Sequence, residues 1–191
     1  MNNPVRAFIQ RHYEAPRLAQ LANRKADNVL EIGCGQGAGA RIIFDLFRPG
    51  RYSGIDLDPR MIRRAIKRST ALTNATFVEG DVSQLEFADS TFDLVVDFGI
   101  VHHVPNWRDA LAEIHRVLQV GGEFLFEDLS LDTWERGIGI PFRKILDHPY
   151  DKMFRKQEFV DELESLGFVV DAYESSPLSF YHFWGRAEKL S

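Results

Sequence analysis

The sequence predicts an α/β domain on a doubly wound, mostly parallel sheet, and three observations carry that prediction. Short apolar runs alternate with segments whose apolar residues recur at helical spacing. One run, Phe92–Phe98, is near-continuously apolar, as a parallel strand buried on both faces requires. The first run, Asn28-Val29-Leu30-Glu31-Ile32, stops at glycines before an amphipathic segment, which is the order strand, turn, helix.

Taken in order, residues 4–22 place Val5, Phe8, Ile9, Tyr13, Leu18 and Leu21 at helical intervals, with Pro16 kinking or splitting the segment. After the strand at 28–32, Ala38–Phe47 sets Ile42, Ile43, Leu46 and Phe47 on one helical face and ends at Pro49-Gly50. Tyr52–Ile55 reads as a strand, and Pro59 opens a helix that runs to about Leu72. Thr76–Val78 and Phe92–Phe98 are strands. Asn106–Leu118 is a helix with Leu111, Ile114, Val117 and Leu118 inward, and Gly121-Gly122 turns into a strand at Glu123–Glu127. Residues 130–156 break the rhythm: Trp134, Phe142, Tyr150 and Phe154 lie among Gly and Pro with no strand pattern. A helix at Lys156–Leu166 ends at Gly167. The runs Phe168–Tyr173 and Leu178–Trp184 are too close for a helical crossover, so they pair antiparallel at the sheet edge. No domain boundary is visible.

Composition narrows the function classes. The 191 residues are 45% apolar and 27% charged, the make-up of an ordinary soluble globular domain. A net charge of −5 gives no general pull toward nucleic acid or acidic membranes. Cys34 is the single cysteine, which excludes an internal disulfide and a cysteine-based zinc cluster. No apolar run approaches the ~18 residues of a membrane span, and MNNPVRAFIQR has no signal-peptide core. A reduced, cytoplasmic single domain over 1–191 is expected.

The chemistry concentrates in the turn Gly33-Cys34-Gly35-Gln36-Gly37. A glycine-rich turn between a first strand and a first helix lets a ligand approach the backbone at the helix N-terminus. No Gly-Lys-Ser/Thr follows, so a phosphate-binding loop of that type is excluded, whereas a dinucleotide turn is left open by the glycines alone. Glu31, two residues before Gly33, repels a pyrophosphate and welcomes a ligand bearing a sulfonium and an ammonium. Asp56 ends the second strand 21 residues past Gly35, the spacing at which a carboxylate accepts from ribose hydroxyls. Asp81 follows the third strand, placed to accept from an adenine amino group. Each acid taken singly also fits a helix cap or a solvated loop charge.

Four motifs in order, VLEIGCGQGAG, YSGIDLDPRMI, FVEGDVSQLEFADSTFDLVVDFGIVHHV and AEIHRVLQVGGEFLFED, resemble the class I S-adenosylmethionine (SAM) dependent methyltransferases, specifically the small single-domain group similar to the quinone-biosynthesis methyltransferases. The resemblance covers about residues 28–128. It implies a Rossmann-like seven-stranded sheet with an antiparallel last strand. It further implies that Glu31, Gly33, Cys34 and Gly35 line the methionine side of SAM, that Asp56 holds the ribose, and that Leu57, Asp81 and Val82 meet the adenine. Phe98 then closes the pocket. The family often has Ser-Pro just after the ribose acid; this chain has Leu57-Asp58-Pro59 and keeps the helix-opening proline.

Methyl transfer from a sulfonium is an in-line displacement that positioning and water exclusion can drive, and a base is needed only where the acceptor must lose a proton. The candidates at the sheet's carboxyl end are His103, Asp97 and Asp128, with His102 and Glu127 beside them. A small-molecule acceptor is expected beneath residues 1–27, a helical cap carrying Tyr13, and the insert 130–156, with Trp134, Phe142, Tyr150 and Phe154 roofing an at least partly apolar site. The alternative for each aromatic is packing of the insert onto the sheet. The basic segment Arg60–Arg68 reads as the solvated face of an amphipathic helix, and no His-x-x-x-His pair marks a metal site. Two other classes stand beside the methyltransferase: a catalytically silent SAM-binding accessory subunit, and an NAD-dependent oxidoreductase, which Glu31 and Asp81 disfavour.

Overall fold

In the computed structural model, which describes residues 8, 10–22, 26–135, 139–143, 150–174 and 183–191, seven strands form one sheet. A π-helical turn at Gln10–Glu14 leads into α1 (Ala15–Leu21), so Pro16 sits in a first helical turn, where its missing N–H costs nothing. Then follow β1 (Asn28–Ile32), α2 (Ala38–Phe47), β2 (Arg51–Asp56), α3 (Pro59–Arg68), β3 (Ala75–Glu79) and β4 (Phe92–Phe98). A 3-10 turn at Val101–His103 precedes α4 (Trp107–Val117) and β5 (Leu118–Asp128). Short helices α5 (Leu131–Glu135) and α6 (Gly139–Arg143) and a 3-10 turn at Tyr150–Lys152 occupy the insert, before α7 (Lys156–Ser165), β6 (Phe168–Glu174) and β7 (Phe183–Lys189).

The strand order is β3-β2-β1-β4-β5-β7-β6. Strands β3 through β5 are parallel, and β7 runs antiparallel to both β5 and β6. The strand order reverses between β1 and β4, which leaves a crevice at the carboxyl ends of β1, β2 and β4. Leu94 and Val96 of β4 face one apolar layer with Leu18, Ala40 and Ile43; Phe92 and Val95 face the other with Leu111, Ile114 and Phe159. Burial on both faces is why this strand carries no alternating pattern.

Several boundaries differ from the sequence reading. Helix α3 stops at Arg68, four residues before Leu72, because the chain turns at Ser69, whose N–H donates to Ala65 O while Leu72 N–H returns to Ser69 O at 2.8 Å. Strand β5 starts at Leu118, which pairs with Phe92 ahead of a register irregularity, so Gly121-Gly122 lie inside the strand. The last strand, described over Phe183–Lys189, runs past the predicted end at Trp184; residues 178–182 of that prediction lie outside the described residues. Phe154 is fully buried in the core, 4.7 Å from the ring of Phe159 and 5.2 Å from Trp107. It packs the insert onto the sheet and roofs nothing.

Candidate active site

The glycine turn is shaped by backbone that only glycine adopts cheaply: Gly33, Gly35 and Gly37 have φ of 61°, 53° and 81°. It is tied to β2 by two hydrogen bonds. Cys34 N–H donates to Ile55 O at 2.9 Å, and Gly35 N–H donates to Asp56 Oδ2 at 2.8 Å. Gly33 also lies directly beneath Ile100, so a Cβ there overlaps that side chain. Gly39, in the first turn of α2, makes the same kind of close approach to the Glu31 carboxylate.

Two cavities flank this turn, one of about 340 Å³ and one of about 260 Å³. Gly33, Asp56, Ile100 and His103 line both, so they adjoin. Glu31, Cys34, Gly35 and Phe98 line the first, while Leu57, Asp81 and Val82 line the second. The structure therefore brings every residue of the expected cofactor set around one bipartite cleft. Leu57 is 71% exposed there, an apolar side chain presented to the cavity.

The three carboxylates differ in state. Glu31 is buried and accepts a hydrogen bond from the Tyr52 phenol. Burial pushes its carboxyl up to about 8, partly offset by the Tyr52 bond. Asp56 is half-buried and accepts from Gly35 N–H and Asp58 N–H, and each oxygen keeps a lone pair for a further donor. Asp81 is exposed, and its Oδ1 accepts from the Ser83 N–H at 2.8 Å and hydroxyl at 2.7 Å. A carboxyl-lined cradle of this kind fits a ligand with a cationic end, which favours ionised Glu31, and with a diol and an amine, and it disfavours a pyrophosphate.

The acid/base candidates separate. His103 is exposed and lines both cavities. Asp97 and Asp128 are fully buried and line neither. They hold the loop that carries His103: Asp97 Oδ1 accepts from Ile100 N–H at 2.9 Å, and Asp128 takes both the ring and the backbone N–H of His102. Burial, followed by the Asp128 charge, holds Asp97 well above the usual carboxylate range, and burial raises Asp128 to about 7. Tyr13 lines neither cavity; the Arg17 guanidinium lies 3.5 Å over its ring and 4.9 Å from Trp184. Trp134 is buried edge-on to Tyr150, and the Phe142 side chain lies outside the described residues.

Two participants escaped the sequence reading. Ile100 covers Gly33 and joins the two cavities, yet its signal is one apolar residue in a loop. Tyr52 sits one strand from Glu31, and Gly54, the residue paired with Glu31 on β2, leaves the space its hydroxyl occupies. A glycine inside a buried strand was the available clue.

A cleft at the strand-order reversal, a glycine turn and acids at three strand ends define a protein of the nucleoside-binding doubly wound class. Residues 30–126 match the family model described as a methyltransferase domain, and the chain belongs to that family. It is 34% identical over 149 residues to a phthiotriol/phenolphthiotriol dimycocerosates methyltransferase of Mycobacterium tuberculosis, covering 75% of this chain and 54% of that protein. It is 36% identical over 161 residues to a fatty-acid O-methyltransferase of Mycolicibacterium smegmatis, covering 82% and 56%. The chain thus spans about half the length of these curated relatives. Among solved structures, a SAM-dependent methyltransferase from Aquifex aeolicus superimposes with a TM-score of 0.76 at 17% identity, covering 98% of this chain and 94% of that one.

Proposed function

We propose that the chain is a SAM-dependent methyltransferase acting on a small-molecule acceptor, within a single domain over 1–191. The observation that carries this reading is the bipartite cleft, with Glu31 at one end, Asp81 and Val82 at the other, and Asp56 between. Glu31, Gly33, Cys34 and Gly35 hold the amino-acid end of the donor, Asp56 accepts from its ribose, and Leu57, Asp81 and Val82 receive the adenine, while Phe98 closes the methionine side. SAM supplies an electrophilic methyl on sulfonium. The chain contributes position and exclusion of water, with Ile100 clamped over the turn.

The relative whose name specifies a fatty acid supports an acceptor with an apolar body ending in a carboxylate. We place it on the Phe98 and His103 side of the cleft, which the cavity linings support; neither Tyr13 nor Trp134 is among those linings. Among the described residues no helix is long and apolar enough to cross a membrane, and a cytoplasmic setting is part of the proposal.

Calorimetry with S-adenosylhomocysteine tests the cofactor: binding is expected in the wild type and lost in Asp56→Ala. Binding of NAD in place of S-adenosylhomocysteine overturns the assignment. A panel of acceptors with a labelled methyl donor then separates an active enzyme from a silent SAM-binding subunit, since only the enzyme labels a product.

A further inference from the structure

Where the glycine turn enters α2 lies a third cavity, about 480 Å³, larger than either part of the cleft and not lined by His103. Its apolar floor is Ile42 and Phe44 of α2 with Leu72, and its rim carries Arg11, Arg41 and Arg68. Arg11 is engaged by the one acid lining the cavity, Asp45, at 3.0 Å. The Arg41 and Arg68 side chains, by contrast, make no hydrogen bond or ion pair with any described residue, and both residues are exposed. Two uncompensated guanidinium groups therefore face an apolar trough on a chain whose net charge is −5. A site of this size, mostly apolar with a few placed polar groups, has the build of a small-molecule pocket.

We propose that this cavity binds a single-chain amphiphile with an anionic head, a carboxylate or a phosphate monoester, as a site distinct from the donor cleft. Arg41 and Arg68 receive the head, since a guanidinium offers a planar fork to either oxyanion. The alkyl chain lies along Ile42, Phe44 and Leu72. Asp45, neutralised by Arg11, adds no net repulsion. Gly37 and Ala38 form part of the wall, and Ala38 also lines the donor cleft, so the two sites share one turn of backbone. The site stands without the methyltransferase reading, on which only the S-adenosylhomocysteine controls rest; probe binding to the unliganded protein, with circular dichroism as the report of folding, tests the site if that reading fails.

Calorimetry below the critical micelle concentration tests it, with dodecyl phosphate and dodecanoate as probes and dodecanol as the uncharged control. Both anions are expected to bind the wild type when it is saturated with S-adenosylhomocysteine, and dodecanol at least tenfold more weakly. The double variant Arg41→Gln/Arg68→Gln is expected to lose tenfold or more in affinity for the anions. Its affinity for S-adenosylhomocysteine should be unchanged, which also reports that it is folded. Leu72→Asp, which puts a negative charge on the apolar floor, should weaken both anions and spare S-adenosylhomocysteine. Competition between amphiphile and S-adenosylhomocysteine, or equal anion affinity in wild type and double variant, overturns the proposal. So does binding only to phosphatidylglycerol vesicles with none to the monomeric probes, which would mark a surface patch and no seat for a single chain.

Discussion

The Tyr52 phenol donates a hydrogen bond to the Glu31 carboxylate inside the helix layer, at a point where Glu31 also touches the first turn of α2. Burial is the main reason that Glu31 ionises near pH 8 and not near 4.5. Its folded value lies above its unfolded one, so its contribution to stability is complete below pH 4.5 and is lost as pH rises through about 8. Urea unfolding should show wild type losing stability relative to Glu31→Gln between those limits, by roughly 1 kcal/mol per pH unit at the steepest. A ligand ammonium placed beside Glu31 reverses the preference by favouring the carboxylate. S-adenosylhomocysteine should therefore bind the wild type more tightly at pH 8 than at pH 6, with proton release, and Glu31→Gln should bind weakly with a flat profile. An equal pH response in the two proteins would show that Glu31 does not meet the ligand's ammonium.

Gly33 faces two separate obstacles to a side chain, its φ of 61° and the Ile100 side chain above it. Gly33→Ala is expected to weaken S-adenosylhomocysteine binding tenfold or more, because displacing Ile100 opens both parts of the cleft at once. The backbone term alone costs about 1 kcal/mol. Adding Ile100→Ala removes the overlap and leaves the φ strain, so the double variant should recover part of the affinity. A double variant no better than Gly33→Ala would place the whole cost in the backbone.

Arg186 joins three strands through Glu123 at 3.0 Å, Asp171 at 2.8 Å and Glu188 at 3.3 Å. Glu123 is 3% exposed, so removing the cation takes a charged partner from a buried carboxylate. Arg186→Met should destabilise the protein by about 1–3 kcal/mol, and Glu123→Gln in that background should restore part of it. Chemical denaturation of the single and double variants measures both. No recovery in the double variant would mean that Arg186 acts by packing its stem and not by its charge.

The same arginine explains what the sequence concealed. Strands β1 and β4 were legible because both of their faces are apolar, and the donor cleft was legible because its acids stand at strand ends with a glycine turn between them. The last strand carries Arg186, Glu188 and Lys189, charges beyond the predicted run Leu178–Trp184, whereas their partners lie on β5 and β6 and beyond any local pattern. Lys189 is likewise buried, with its ammonium on the carbonyls of His115 and Leu118 at 2.8 and 2.9 Å. Phe154 of the insert shows the opposite limit. Composition marks Phe154 as a roof residue equally well as a core residue, and only its contacts with Trp107, Phe159 and Phe183 decide for the core.

Asp128 and His103 stand in different relations to the chemistry, and paired substitutions separate them. Asp128 holds the ring and backbone of His102, next in sequence to His103, so Asp128→Asn alters the loop that lines both parts of the cleft. It should destabilise the fold by about 1–3 kcal/mol and weaken S-adenosylhomocysteine binding. His103→Asn, at an exposed position, should leave stability within about 0.5 kcal/mol of wild type. Its effect on turnover depends on the acceptor. A carboxylate is already anionic at neutral pH and needs no base, so His103→Asn should keep kcat within about threefold on a carboxylate acceptor. A hydroxyl acceptor must lose a proton, and with one the same variant should lose about 100-fold or more, together with the acid limb of the pH–rate profile. A large kcat loss on a carboxylate acceptor with unchanged S-adenosylhomocysteine affinity would assign His103 to positioning the acceptor and not to proton removal.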